Sequence, residues 1–149
     1  EAAGDVDTLL LDKTGTITFG NRLASAITPA PGVPEATALE AALVSSLRDE
    51  TPEGRSIVAL ARTRLAALGL PGGDGDDATI RVLEGRIAEQ RDFTAETRSS
   101  GVVLTDGGLI LKGAVDAISR DLDGGMPAEL VAETQQIAGR GATPVTSRR

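Results

Sequence analysis

Asp12 is the residue whose setting points most directly to chemistry. It follows the apolar run Val6–Leu11 and opens a turn built on Gly15, within LLLDKTGTIT. The spacing predicts a buried strand that stops at Asp12. In open parallel sheets this carboxyl end is where reactive groups are presented, because loop amides there can hold anions. A carboxylate can attack phosphorus only when the repulsion between two anions is removed. Backbone N–H groups, the hydroxyls of Thr14 and Thr16 and a divalent cation are parts that could remove it. Gly15 lets the backbone approach a phosphoryl group closely. The plainer alternative is an Asp that merely caps a strand-to-helix turn.

Rare residue types mark a second place. Lys13 and Lys112 are the only lysines, and every other cation is Arg. Lys112 lies in LILKGAVD, at the end of an expected strand and before an expected helix. Phe93, in RDFTAETRSSG, is one of two aromatic residues, the other being Phe19. A ring and an ammonium could sandwich a flat heterocycle, and adenine has the right shape and π-surface. Taken singly, Phe93 reads as a core residue and Lys112 as a surface cation. Lys112 and Asp116 are four apart, so a helix starting near Gly113 would let them pair.

Composition removes several other chemistries. With no His and no Cys there is no imidazole base, thiolate or Cys-type zinc site. The formal charge of −7 argues against non-specific grip on nucleic acid or an anionic membrane. No apolar run approaches the roughly 20 residues a bilayer requires, and the chain is expected to be soluble. Its ends, Glu-Ala-Ala-Gly-Asp and Thr-Ser-Arg-Arg, read as those of an excised or truncated piece.

The elements that must position these residues follow from local pattern. Leu23–Ile27 reads as a second strand, ended by prolines at 29, 31 and 34. Glu35–Leu47 carries Leu39, Ala42, Leu43 and Leu47 at helical spacing, an amphipathic helix. Thr51-Pro52-Glu53 is a helix start, with a hydroxyl N-cap, Pro at the first position and an acid near the dipole's positive end. That helix is expected to run to a stop at Gly69 and to form a hairpin with the first. Residues 69–78 (GLPGGDGDDA) read as a flexible, solvated loop; an EF-hand would need Gly and Glu where Thr79 and Gly85 stand. Strands are expected at Ile80–Leu83, Arg86–Phe93, Arg98–Thr105 and Leu109–Lys112, with a hairpin turn at Asp106-Gly107-Gly108. Helices are expected at Ala114–Leu122 and Pro127–Ala138. The order implies an α+β fold, an antiparallel sheet flanked by two helical hairpins. Residues 1–27 read as a stub, the first strand of a parallel α/β domain. Residues 28–142 then form the main domain and 143–149 a truncated return segment.

The motifs resemble two nested families. LLLDKTGTIT resembles the haloacid-dehalogenase-like phosphotransferases, whose nucleophilic Asp ends the first strand. Their phosphatases commonly carry a second Asp two residues on; Thr14 stands there, so an acyl phosphate should persist. DKTGT at Asp12–Thr16 resembles, more narrowly, the phosphorylation motif of P-type cation pumps. With DETPEGRSIV (Asp49–Val58), FTAETRSSG and KGAVDAI (Lys112–Ile118), nearly the whole chain resembles the nucleotide-binding domain of Kdp-type potassium pumps.

The resemblance implies that Asp12 accepts the γ-phosphoryl group of ATP, with Lys13, Thr14, Gly15 and Thr16 forming the phosphate loop. Asp12 and Thr14 would hold Mg2+. It further implies that Phe93 stacks on adenine, that Lys112 lies on the base's other side and that Ser100 lines the pocket. Thr94, Ser99, Gly101 and Gly113 would sit beside them, Asp49 and Glu53 on a bordering acidic turn, and Asp116 against Lys112. Ser99 departs from the larger apolar residue expected there. ATP and the other subunits of a potassium-pump complex are the implied partners, and the cytoplasmic face of a membrane the implied location. One stacked base and one cation predict a dissociation constant on the order of millimolar. A free-standing phosphatase, a non-catalytic adenine-binding module and a purely structural domain are the competing readings.

Overall fold

The computed structural model describes residues 8–14, 22–120, 125–139 and 142–148, and side chains over 23–120 and 125–136. Strands β1 (Thr8–Thr14) and β2 (Arg22–Pro29) are followed by helices α1 (Glu35–Ser46), α2 (Pro52–Ala67) and α3 (Asp77–Gly85). Strands β3 (Ile87–Arg91), β4 (Ser99–Leu104) and β5 (Leu109–Ala114) come next. Helices α4 (Val115–Arg120) and α5 (Ala128–Gly139) precede the return strand β6 (Ala142–Arg148). The α+β class expected from the sequence is the one observed.

The six strands form one sheet in the order β2-β1-β6-β5-β4-β3, and every pair is antiparallel. The strand expected to open a parallel sheet at the N-terminus has only antiparallel partners among the described residues. A parallel neighbour needs a crossover of a dozen or more residues. The link from Thr14 to Arg22 is shorter than that, and β1 lies antiparallel to both β2 and β6.

Side chains alternate along the sheet, so one face of β4 and β5 presents Val102, Leu104 and Ile110. These pack with Leu39, Leu43, Ile57, Ala61 and Leu65 of the α1–α2 hairpin to form the main core. Helix α1 lies in this core on nearly all sides, with Ala38, Leu39 and every residue from Ala41 to Ser46 buried. An amphipathic helix was expected. Small residues such as Ala38, Ala41, Ala42, Ser45 and Ser46 let both neighbours close on it. Helix α4 leans on β5 and β6, and α5 on β6; Leu130 packs on Ala30 in a second, smaller cluster.

Local stop and start signals operate as expected. Thr51 Oγ accepts from Gly54 N–H at 3.0 Å and caps α2. Gly69 ends it at φ 67°, its N–H donating to Ala66 O. In the β4–β5 turn Leu104 N–H donates to Gly108 O, with Gly107 at φ 87°. Two expectations fail. Ile80–Leu83 is helical, inside α3, because the Asp76 side chain accepts from Thr79 N–H and caps a helix there. The 69–78 segment is pinned rather than loose. Gly72 and Gly73 are buried, Arg62 donates to Gly73 O, and Asp76 also accepts from Gly72 N–H.

Candidate functional site

Strand β5 carries Lys112 directly opposite Ser100 of β4. Opposed residues in an antiparallel pair share a face; for this pair it is the face covered by α1 and α2. Lys112 is only 5% exposed, which rules out the surface-cation reading. Its Nζ donates to Ser46 Oγ, on the last residue of α1, at 3.0 Å, and to the Asp49 carboxylate. Two of the ammonium's three N–H groups are thereby engaged.

Asp49 lies in the turn between the two helices and is fixed from the other side as well. Its Oδ1 accepts from Thr51 N–H at 3.0 Å and from Thr51 Oγ–H at 2.6 Å. Thr51 in turn caps α2 through Gly54. A Cβ at Gly54 would stand 2.6 Å from the Asp49 backbone oxygen and as close to its side chain. Glycine is what lets the first turn of α2 lie against this carboxylate. A continuous chain of polar contacts therefore runs from Lys112 through Asp49 and Thr51 to the helix start.

Burial shapes both charges. For Asp49, burial pushes the carboxyl up, but bonds from Lys112 and Thr51 outweigh it and hold the group below the usual carboxylate value. For Lys112, burial pulls the ammonium below its usual value, against the opposing pull of Asp49 and of Glu53. A buried ammonium of this kind is tolerated because a partly buried carboxylate and a hydroxyl satisfy it.

The expected partner of Lys112, Asp116, is not the observed one. Strand β5 continues to Ala114 and α4 starts only at Val115, so residues 112 and 116 do not share a helical turn. Asp116 instead pairs with Arg98 at 2.7 Å. Arg98 has φ 51°; its N–H donates to Thr94 O and its carbonyl accepts from Ala114 N–H. A Cβ on Gly113 would come within 2.6 Å of that carbonyl. Arg98 thus fastens the 92–98 loop to the start of α4.

Phe93 stands at the start of this loop, 63% exposed, so it is no core residue. Its neighbours are held by a turn in which Thr94 Oγ meets Thr97 Oγ at 2.8 Å and accepts from Thr97 N–H at 3.1 Å. Arg91, two residues earlier, faces Gly101, so Phe93 emerges at the end of the sheet that carries Ser99 and Gly113. Ser99 and Thr94, with Leu111, Asp92 and Arg120, line an open cleft of about 690 Å3. By strand alternation Ser99 and Leu111 point away from the face of Ser100 and Lys112. The expected site residues therefore divide between two faces: Lys112, Ser100 and Asp49 under the hairpin, Ser99 and Thr94 in the cleft. Glu53, in the first turn of α2, contributes to the field at Lys112.

Asp12 was expected to end its strand. Instead β1 runs on to Thr14, because it has partners on both sides, β2 and β6. Asp12 faces Ala24 on β2 and Thr143 on β6. Leu11 faces Ala26, so the register shifts at Asp12 and Ser25 is the extra residue of a bulge. Gly15 and Thr16 lie outside the described residues, as do the side chains of Asp12, Lys13 and Thr14. Among the described residues no cluster of three or more acids could hold a metal ion, and no helix is long and apolar enough to cross a membrane.

Sequence reasoning missed Ser46, Gly54 and Arg98. Ser46 carried no signal, whereas Gly54 could have been suspected as a glycine inside a capped helix, where it costs stability unless space demands it.

No family model matches the chain. Against known proteins it is 50% identical, over 98% of its length, to the potassium-transporting ATPase ATP-binding subunit of Deinococcus radiodurans. The chain spans 20% of that relative's length.

Proposed function

We propose that this segment binds ATP for a phosphorylated ion pump, and the premise is its family: the chain belongs to the Kdp-type potassium-transporting P-type ATPases. The observation that carries the proposal is the ammonium of Lys112, buried and held by Asp49 and Ser46 beside the first turn of α2. A solvated lysine would lose rotamer freedom on meeting a ligand, whereas this one is already ordered.

In this reading Phe93 supplies an exposed ring for the base, and Lys112 supplies its remaining N–H and its charge to the base's other side. Ser100, Gly101 and Gly113 border them, with Asp49 and Glu53 on the acidic turn and Asp116 acting through Arg98. Thr94 and Ser99 extend the site around the sheet's end. An oxygen of the Asp12 carboxylate attacks the γ-phosphorus, and the bond to the bridging oxygen breaks. ADP leaves with that electron pair, and an acyl phosphate remains. Lys13, Thr14, Gly15 and Thr16 form the surrounding loop. Mg2+, held by Asp12 and Thr14, would supply charge neutralisation for the phosphates. In the whole pump, with its partner subunits, this couples ATP hydrolysis to potassium uptake, the segment lying on the cytoplasmic side. Residues 28–142 act as the nucleotide-binding unit, and residues 1–27 and 143–149 join it to the phosphorylation domain.

Nucleotide titration followed by amide NMR tests the binding half. Signals of Phe93, Ser100 and Lys112 should shift together, and Phe93→Ala with undiminished affinity would refute the stacking role. In the intact pump, Asp12→Asn should abolish a hydroxylamine-sensitive phosphoenzyme.

A further inference from the structure

A contact in α2 ties the two halves of this reading together. Ser56 Oγ accepts from the backbone N–H of Ala24 at 2.6 Å, across 32 residues of sequence. Ala24 is the residue of β2 that faces Asp12, and it adjoins the bulge at Ser25. At a bulge the ladder is locally broken, so a backbone N–H there can take a side-chain partner. Strand β2 is an edge of the sheet, and α2 packs along it. The same helix begins at Thr51 and Gly54, the contacts that hold Asp49 and through it Lys112. One helix therefore grips the backbone opposite Asp12 with its second turn and the lysine's counter-ion with its first.

We infer that Ser56 is a positioning residue for phosphoryl transfer. Its hydroxyl fixes the backbone opposite Asp12 relative to the helix that orders the nucleotide end. The inference rests on the function proposed above, since it requires Asp12 to be the acceptor. In this role Ser56 acts through the Ala24 backbone and not through the base or the phosphates. Its loss should alter how well the acceptor is aligned and not how tightly ATP is held, and alignment errors of about 1 Å can cost on the order of a hundredfold in rate.

The test uses the intact pump and measures phosphoenzyme formation from γ-labelled ATP over a range of ATP concentrations. Ser56→Ala should lower the maximal rate on the order of tenfold, with half-saturating ATP unchanged within about twofold. Ser56→Thr, which keeps the hydroxyl, should restore the rate. Ala24→Pro removes the donor instead of the acceptor, at an edge position where proline is tolerated, and should reproduce the defect. The double variant should be no slower than either single one. An unchanged maximal rate in Ser56→Ala overturns the inference, as does a parallel rise in half-saturating ATP or an additive double variant. If the unmodified pump forms no phosphoenzyme that Asp12→Asn removes, the proposed function itself falls, and this inference falls with it.

Discussion

Replacing Asp49 by Asn tests the central polar chain. Asn keeps the size and can still accept from Thr51, but it removes the charge opposite Lys112. Lys112 is buried, its side chain 5% exposed, and Asp49 is partly buried, at 13%. Removing one partner of such a pair costs about 3–5 kcal/mol. An independent ceiling comes from letting Lys112 shed its proton. From an ordinary value of 10.5 down to pH 7, at about 1.36 kcal/mol per unit, that costs about 5 kcal/mol. The two figures agree, and the loss corresponds to a melting temperature lower by on the order of 10 °C for a domain of this size. The sign of the pH dependence follows from the direction of the lysine's shift. Its folded value lies below its unfolded one, so between the two the unfolded chain binds more protons and stability rises with pH. Without Asp49 the folded value falls further, and the rise begins at lower pH. Denaturant unfolding of both proteins at pH 7 and pH 9 should show a deficit that shrinks with pH. A deficit under about 1 kcal/mol, or one that widens at pH 9, would show that the pair is not holding a buried charge.

Gly54→Ala should displace Asp49 and cost about 1–3 kcal/mol by overpacking, read by thermal unfolding, with ATP affinity falling in step. Phe93→Ala should weaken ATP by about 1–3 kcal/mol, up to roughly a hundredfold, in calorimetric titration. Its melting temperature should barely move, because the ring is already exposed. Asp76 accepts from Gly72 and Thr79, which hold its carboxyl below the usual value. Its stabilisation is present above the unfolded carboxylate range and is lost as pH falls through the lower folded value. Asp76→Asn should therefore flatten the acid limb of a stability–pH curve, and an unaltered limb would remove Asp76 from that account.

What was legible in the sequence was what is local. Thr51, Gly69 and the Asp106-Gly107-Gly108 turn act through neighbours within a few residues, so their types announce their roles. Lys112 stood out by rarity, yet its counter-ion lies 63 residues away. No spacing rule reaches that far, and the nearest acid at a helical interval, Asp116, was the natural wrong choice. Ile80–Leu83 was misread because four residues, mostly apolar, fit either period, and the capping bond from Asp76 decides for the helix. Asp12 was singled out by its motif. Its place inside β1 was not, because strand length there is set by two partners, one arriving from β6. The division of Ser99 from Ser100 onto opposite faces was implicit in strand alternation once β4 was placed.

Strand β6 has a consequence for the order of assembly. It lies between β1 and β5, with Thr143 opposite Asp12 and Ser147 opposite Lys112. A ribosome makes it after every other element described, so the N-terminal β1–β2 hairpin must wait for it before joining the rest of the sheet. Such a distant pairing is a slow closure. During that wait the hairpin's open edge is a place where a chaperone, or an unwanted neighbouring strand, could engage it.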